Sequence, residues 1–180
     1  PSDKLSTTAT KDITPSHIKL LDRITENLVS NSFDEVRSWV LVDEKENEIC
    51  NFMPWEMIHV TNSINEEVPN LRQSIAVSLF SQAENYKKNN VPDIKLFEIG
   101  KIFGKVNNEY KEYNSLGILI DSKNIDEVKL VIEGIIRNEG FSNITYQISD
   151  KPPKSSHPKS TWNIVLHSRR KQEVIGINYI

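Results

Sequence analysis

Few side chains in this 180-residue chain have types and spacing that could do chemistry, and the most suggestive is Glu98. It lies in the segment LFEIGKIF, Leu96 to Phe103. Strict alternation there predicts a strand with Leu96, Glu98, Gly100 and Ile102 on one face and Phe97, Ile99, Lys101 and Phe103 on the other. A carboxylate in a well-formed strand must face solvent, a polar pocket or a partner, because burying it unpaired is very costly. The plainer alternative is a salt bridge to a lysine. Gly100, inside the strand, marks a close approach by another backbone or a ligand.

The remaining candidates are sparse. His17, His59, His157 and His167 are scattered and Cys50 stands alone, so no zinc-ligand spacing occurs. No glycine run precedes a Gly-Lys-Ser/Thr, no G-x-G-x-x-G follows a predicted strand, and no serine sits in a G-x-S-x-G elbow. The motifs thus offer no metal ligand and give a nucleophilic triad no positive support, although the members of a triad need not be close in sequence. Basic residues cluster at Lys87-Lys88, beside Asn89-Asn90, and at Arg169, Arg170 and Lys171. Either cluster could touch a nucleic-acid phosphate backbone or form a solvated loop. The net charge of −3 argues against binding nucleic acid through the overall field. One cysteine excludes an internal disulfide and fits a reducing compartment. No apolar run approaches the roughly 20 residues that cross a bilayer.

These residues must be positioned by a modest set of elements. Residues 1–13 are Ser/Thr-rich without apolar period, which predicts a flexible arm before a domain over 14–180. Thr14-Pro15 predicts a helix start, with Thr14 as N-cap and a stripe of Ile18, Leu21, Ile24 and Leu28 running to Ser30. Val36 to Val42 reads as a strand inside a sheet. Asp43 to Glu48 is a charged patch, Glu46 to Phe52 a short helix, and Met57 to Thr61 a strand. A second helix starts at Pro69 or Ser74, with Leu71, Ile75, Leu79, Ala83 and Tyr86 on its stripe. Beyond LFEIGKIF, Asn107-Asn108 predicts a hairpin turn into Leu116–Ile120. Asn124 and Glu127 suggest a capping box for a helix carrying Val128, Val131, Ile132, Ile135 and Ile136, stopped at Gly140. Strands at 144–148, 162–166 and 173–177 complete an α+β domain with a mostly antiparallel sheet flanked by helices.

The central stretch resembles a known family. Val60 to Asn65 with Glu67 falls on an L-x-N-P-(L/I)-S-x-E pattern, and Leu71-Arg72-Gln73-Ser74-Ile75 falls on M-R-x-S-L. Leu79-Phe80 falls on a closing leucine pair, Asn85 on a helix asparagine, and Leu96 to Phe103 on LFEIGxVF. These motifs are similar to the C-terminal, catalytic-core-like domain of phenylalanyl-tRNA synthetase beta subunits. Flanking segments agree in order: Ile13-Thr14-Pro15, Phe33 to Val36, Val128 to Ile136, His157-Pro158 and Val174-Ile175-Gly176. The chain departs from the pattern where Ser63 replaces a proline, Val77-Ser78 replaces Pro-Gly and Lys159-Ser160 interrupts a G-R-S run. It begins with Pro1 and stops just past Gly176, so it is expected to be an excised domain, incomplete at its C-terminal end, or a short relative.

The resemblance implies a class II aminoacyl-tRNA synthetase-like fold. In active members the strand equivalent to LFEIGKIF runs into an arginine that holds the ATP α-phosphate; here Phe103 is followed by Gly104. Lys105 lies on the opposite strand face and lacks the planar fork of arginine. The resemblance thus implies a non-catalytic domain that scaffolds the alpha subunit of a cytoplasmic αβ-type heterotetramer charging tRNA with phenylalanine. ATP and magnesium would be used by the whole enzyme and not held here. Arg72, Asn85, Phe97, Glu98, Ile99, Gly100 and Phe103 are then the expected structural or subunit-interface residues. Lys87, Lys88, Arg169 and Arg170 remain the candidates for RNA contact. Two rival readings are a free-standing paralogue that binds a small ligand such as an amino acid, and an RNA-contacting module.

Overall fold

The computed structural model describes residues 12–51, 53–122, 124–139, 143–149, 154, 156, 161–167 and 172–178. The central unit is a long antiparallel hairpin of β5 (Lys95–Val106) and β6 (Glu109–Ile120), twelve residues a side, in register from Lys95↔Ile120 to Val106↔Glu109. Its turn is Asn107-Asn108, both with positive φ (50° and 65°). That left-handed pair matches the twist of a tight hairpin, and asparagine tolerates it better than most residues. The pairing runs further than the apolar pattern alone suggested, through the polar stretch 104–114. A short strand, β1 (Asp34–Glu35), lies parallel to β5 on its other edge.

Helices cover both hairpin faces. On one, Ile75, Leu79 and Ala83 of the α3 (Ala76–Lys88) region pack with Ile94, Leu96 and Ile102. On the other, Leu28 of α1 (Ser16–Ser30) and Ile135 of α4 (Ile125–Asn138) pack with Phe33 and Phe97. The opposite fates of Leu96 and Phe97, both fully buried, follow from strand alternation. Helix α4 is apolar on two sides: Val131 and Ile135 meet the hairpin, whereas Ile132 and Ile136 meet Ile144 and Tyr146 of β7 (Asn143–Ile148). β7 begins an antiparallel sheet of order β7-β8-β9, with β8 at Thr161–His167 and β9 at Gln172–Asn178.

Several boundaries differ from expectation for local reasons. Val36 to Val42 is not one strand: β1 ends at Glu35, β2 (Leu41–Val42) joins a different sheet, and residues 36–40 cross between them. The segment taken for the start of the second helix is instead β4 (Asn70–Leu71), the centre of a small sheet between β2 and β3 (Ile58–His59). Helix α3 begins only after Ser74, whose Oγ accepts from Ala76 N at 3.1 Å. The short helix α2 spans Glu44–Cys50, and the side chain of Asp43 accepts from Lys45 N and Glu46 N at its start. Pro15, not Thr14, is the residue preceding α1, and no side chain caps that helix. Asn124 does accept from Asp126 N, but Glu127 bonds to Ser122 Oγ instead of reaching back to Asn124. Gly140 and most of the arm over 1–13 lie outside the described residues. Asp12 lies within them, where the bond from Lys19 first, then those from Thr14, hold its carboxyl down at about 2.

Candidate functional site: a buried ion pair under helix α3

Arg72 and Glu98 form an ion pair at 2.7 Å with side chains only 2% and 3% exposed. Arg72 sits directly after β4; its N–H donates to Val40 O and its carbonyl accepts from Phe103 N, both at 2.9 Å. The backbone therefore pins the arginine between residues 36–40 and β5. From there its Nε donates to Lys101 O at 3.0 Å, and its Nη1 donates to Ser38 Oγ at 2.7 Å and Ser78 Oγ at 3.0 Å. Ser38 Oγ in turn donates to Glu98 Oε2 at 2.6 Å. Ser38 thus accepts from the cation and donates to the anion, closing a small ring. Bonding of this kind is what lets a charged pair stay inside a protein, since each unbonded group would cost its full desolvation.

Gly100 is explained by the same arginine. A Cβ at Gly100 would overlap Arg72 Nη2 and crowd Ile75 Cδ1 at 3.3 Å. The close approach read from the strand glycine is that of a guanidinium from the same chain. Two more glycines on this hairpin face receive side chains in the same way: Gly117 lies under Ile75, and Gly104 lies under Trp55, whose Cβ would be 2.7 Å from an added methyl. The Trp55 ring stacks on Tyr113 with centroids 5.3 Å apart, and Gln73 Nε2 donates to Trp55 O at 2.9 Å. The position where the resemblance places an ATP-binding arginine is therefore covered by an indole.

The other expected residues are distributed as follows. Phe97 is buried, and Ile99 packs partly buried beside it, on the face toward α1 and α4. Phe103 is half-buried further along β5, and Asn85 is exposed on α3, its carbonyl accepting from Asn89 N. Lys87 pairs with Asp121 at 3.2 Å and Lys88 with Glu84 at 2.9 Å. Both lysines stand in the last turn of α3, where cations offset the helix dipole. Arg169 and Arg170 lie outside the described residues. His59 is exposed, with Nδ1 3.1 Å from Asn70 Oδ1. Among the described residues no cluster of three His, Cys, Asp or Glu side chains could hold a metal ion, and no helix is long and apolar enough to cross a membrane.

Sequence reasoning missed Ser38, Ser78, Asn47, Gln73 and Trp55. Asn47 is fully buried; its amide donates to Leu71 O and accepts from Gln73 N at 2.8 Å, tying α2 to the arginine loop. One signal existed. Arg72-Gln73-Ser74 sits between an apolar strand residue and an apolar helix stripe, a place where polar side chains are buried and must find partners. Ser78, read as a departure from Pro-Gly, supplies one of those partners. Nothing local pointed to Ser38.

A hairpin held between α3 on one face and α1 with α4 on the other is the architecture of class II aminoacyl-tRNA synthetase catalytic domains. The chain superposes on the pyrrolysyl-tRNA synthetase of Desulfitobacterium hafniense with a TM-score of 0.66, covering 86% of this chain and 56% of that one at 14% identity. It superposes on an ATP phosphoribosyltransferase regulatory subunit/histidyl-tRNA synthetase from Bacillus halodurans C with a TM-score of 0.59, covering 81% and 41% at 14% identity. Likeness at that identity speaks for the fold alone. The sequence narrows it: residues 1–177 match the phenylalanyl-tRNA synthetase beta chain CLM domain, and the chain belongs to that family. It is 34% identical over 97 residues to the phenylalanine–tRNA ligase beta subunit of Thermotoga maritima, a match covering 53% of this chain. It is 29% identical over 77 residues, 43% of this chain, to that of Mycoplasmopsis synoviae. These matches span 12% and 11% of the two subunits.

Proposed function

We propose that this chain is a non-catalytic, class II-like domain of a phenylalanine–tRNA ligase beta subunit, and that its work is to scaffold the alpha subunit of a cytoplasmic ligase. In that arrangement ATP and magnesium are used by the partner, and tRNA is met by the assembled enzyme. One observation carries the reading: the hairpin face that would have to receive ATP is filled by the chain itself. Arg72 lies on Gly100, Ile75 on Gly117 and Trp55 on Gly104. Arg72 is spent on Glu98, Ser38, Ser78 and Lys101 through its Nε and Nη1, so its charge is already paired inside the fold. The same packing makes a stiff body whose outer surfaces can be used for assembly.

The test is coexpression with a phenylalanine–tRNA ligase alpha subunit, followed by co-purification and an ATP–pyrophosphate exchange assay on each component. The expected result is a stable complex and no phenylalanine-dependent exchange by this chain alone. Exchange by the isolated chain, or failure to associate with the alpha subunit, would overturn the proposal.

A further inference from the structure

Residues 36–40 form a strap with two anchors and an exposed crest. Val36 N donates to Phe97 O at 2.7 Å at one end, and Val40 O accepts from Arg72 N at the other. Between them Ser38 points inward to the buried Arg72–Glu98 pair. Trp39, the next residue, is 86% exposed, with Val40 beside it at 36%. An indole held in water above a buried ion pair forgoes the gain of burying its apolar surface, and among the described residues none is seen to cover it.

The sequence on either side of that crest is strongly acidic. Residues 34–48 carry six carboxylates (Asp34, Glu35, Asp43, Glu44, Glu46, Glu48) and two cationic side chains, Arg37 and Lys45. That is a net −4 in fifteen residues of a chain whose total is −3, so the rest of the molecule is close to neutral. Arg37 is tied to Glu35 at 3.2 Å, and Lys154, from outside this stretch, lies 3.6 Å from Glu48, which leaves Asp34, Asp43, Glu44 and Glu46 to supply the attraction. Glu44, Glu46 and Glu48 are exposed along α2, and Ile49 on the same helix is 43% exposed.

We propose that the Trp39 strap and the acidic side chains flanking it are a docking surface for a basic segment of a partner protein. That segment lays an arginine or lysine on the indole, with apolar neighbours against Val40. Cation–π contact to tryptophan is the strongest of its kind, and the carboxylates supply attraction at longer range. Nucleic acid and anionic membranes are disfavoured by the same charges, and a second copy of the strap would bring two net-acidic surfaces together. Ser38 acts as a positioning residue, holding the strap from beneath. The inference rests on the strap and its charge and not on the identity of the ligase partner.

The experiment is a fluorescence-anisotropy titration of the full chain into three labelled probes: a peptide of alternating arginine and leucine, its glutamate counterpart, and single-stranded RNA. The arginine peptide should bind, more weakly as salt rises, and the other two should not. Trp39→Ala changes no charge and removes an exposed side chain, so the fold is kept; it should weaken binding about tenfold, as should Glu44→Lys with Glu46→Lys. Ser38→Ala should weaken it while leaving every exposed group in place. Equal binding by Trp39→Ala, tighter binding of RNA or of the acidic peptide, or Trp39-dependent self-association in sedimentation would each overturn the proposal.

Discussion

Replacing Glu98 with alanine tests the central claim about this fold, that a fully buried ion pair organises it. In Glu98→Ala the Arg72 guanidinium keeps its bonds to Lys101 O, Ser38 and Ser78 but loses the carboxylate it is paired with, the one counter-charge it has among the described residues. Arginine does not escape by shedding its proton, so the charge stays buried and uncompensated. Such a loss costs about 3–5 kcal/mol, a large part of the roughly 5–15 kcal/mol that holds a domain folded. With an m-value of about 2 kcal/mol/M, the urea midpoint should fall by about 2 M. The double variant Arg72→Met, Glu98→Met removes both charges and should cost less than either single change, because no orphan remains. Gly100→Ala supplies an independent arm. Its methyl meets Arg72 Nη2, so it should cost about 1–3 kcal/mol alone and far less beside Arg72→Met, a coupling that a double-mutant cycle reads directly. A Glu98→Ala loss below about 1 kcal/mol, the range of exposed pairs, or additive double variants, would refute the reasoning.

Other outcomes follow from neighbouring contacts. Gly104→Arg, which restores the arginine after Phe103, should destabilise the chain through Trp55 and produce no heat of ATP binding by calorimetry; measurable binding would mean the cleft survives. Gly117→Ala drives a methyl into Ile75 and should lower the melting temperature, with Ile75→Val restoring part of the loss. Burial first, and then its bond to Glu133 at 2.8 Å, push the Tyr146 hydroxyl above its ordinary value of 10.0. The folded chain therefore holds that proton more tightly than the unfolded one. The contact stabilises fully below about pH 10 and is lost as pH rises further, so Tyr146→Phe should flatten the alkaline fall in stability and cost about 1 kcal/mol at neutral pH.

Much of this molecule was legible one residue at a time. Alternation in LFEIGKIF placed Leu96 and Ile102 on one face and Phe97 and Ile99 on the other, because strand geometry leaves no choice. The α4 stripe and the Asn107-Asn108 turn were equally readable, since periodicity and left-handed tolerance are local properties. The sequence motifs also carried the family. The partners were not legible. Glu98 asked for a cation, yet local chemistry does not say whether a nearby lysine or an arginine 26 positions earlier in the chain answers. Long-range pairing depends on how β4, the strap and β5 are brought together, and β4 itself, two residues long, has no periodicity to announce it. The apolar segment Val36 to Val42 looked like a strand because its composition suits one; the pairing of its two ends with different sheets made it a strap.

LFEIGKIF by itself therefore determined a strand, its two faces, and the need for something to approach Gly100 and pair with Glu98. Only the tertiary structure decided that both needs are met by Arg72, with Ser38 closing the ring and Trp55 covering Gly104. The physical reason is that a buried charge and a missing Cβ specify what must come near but not from where, and only the packed chain supplies the direction.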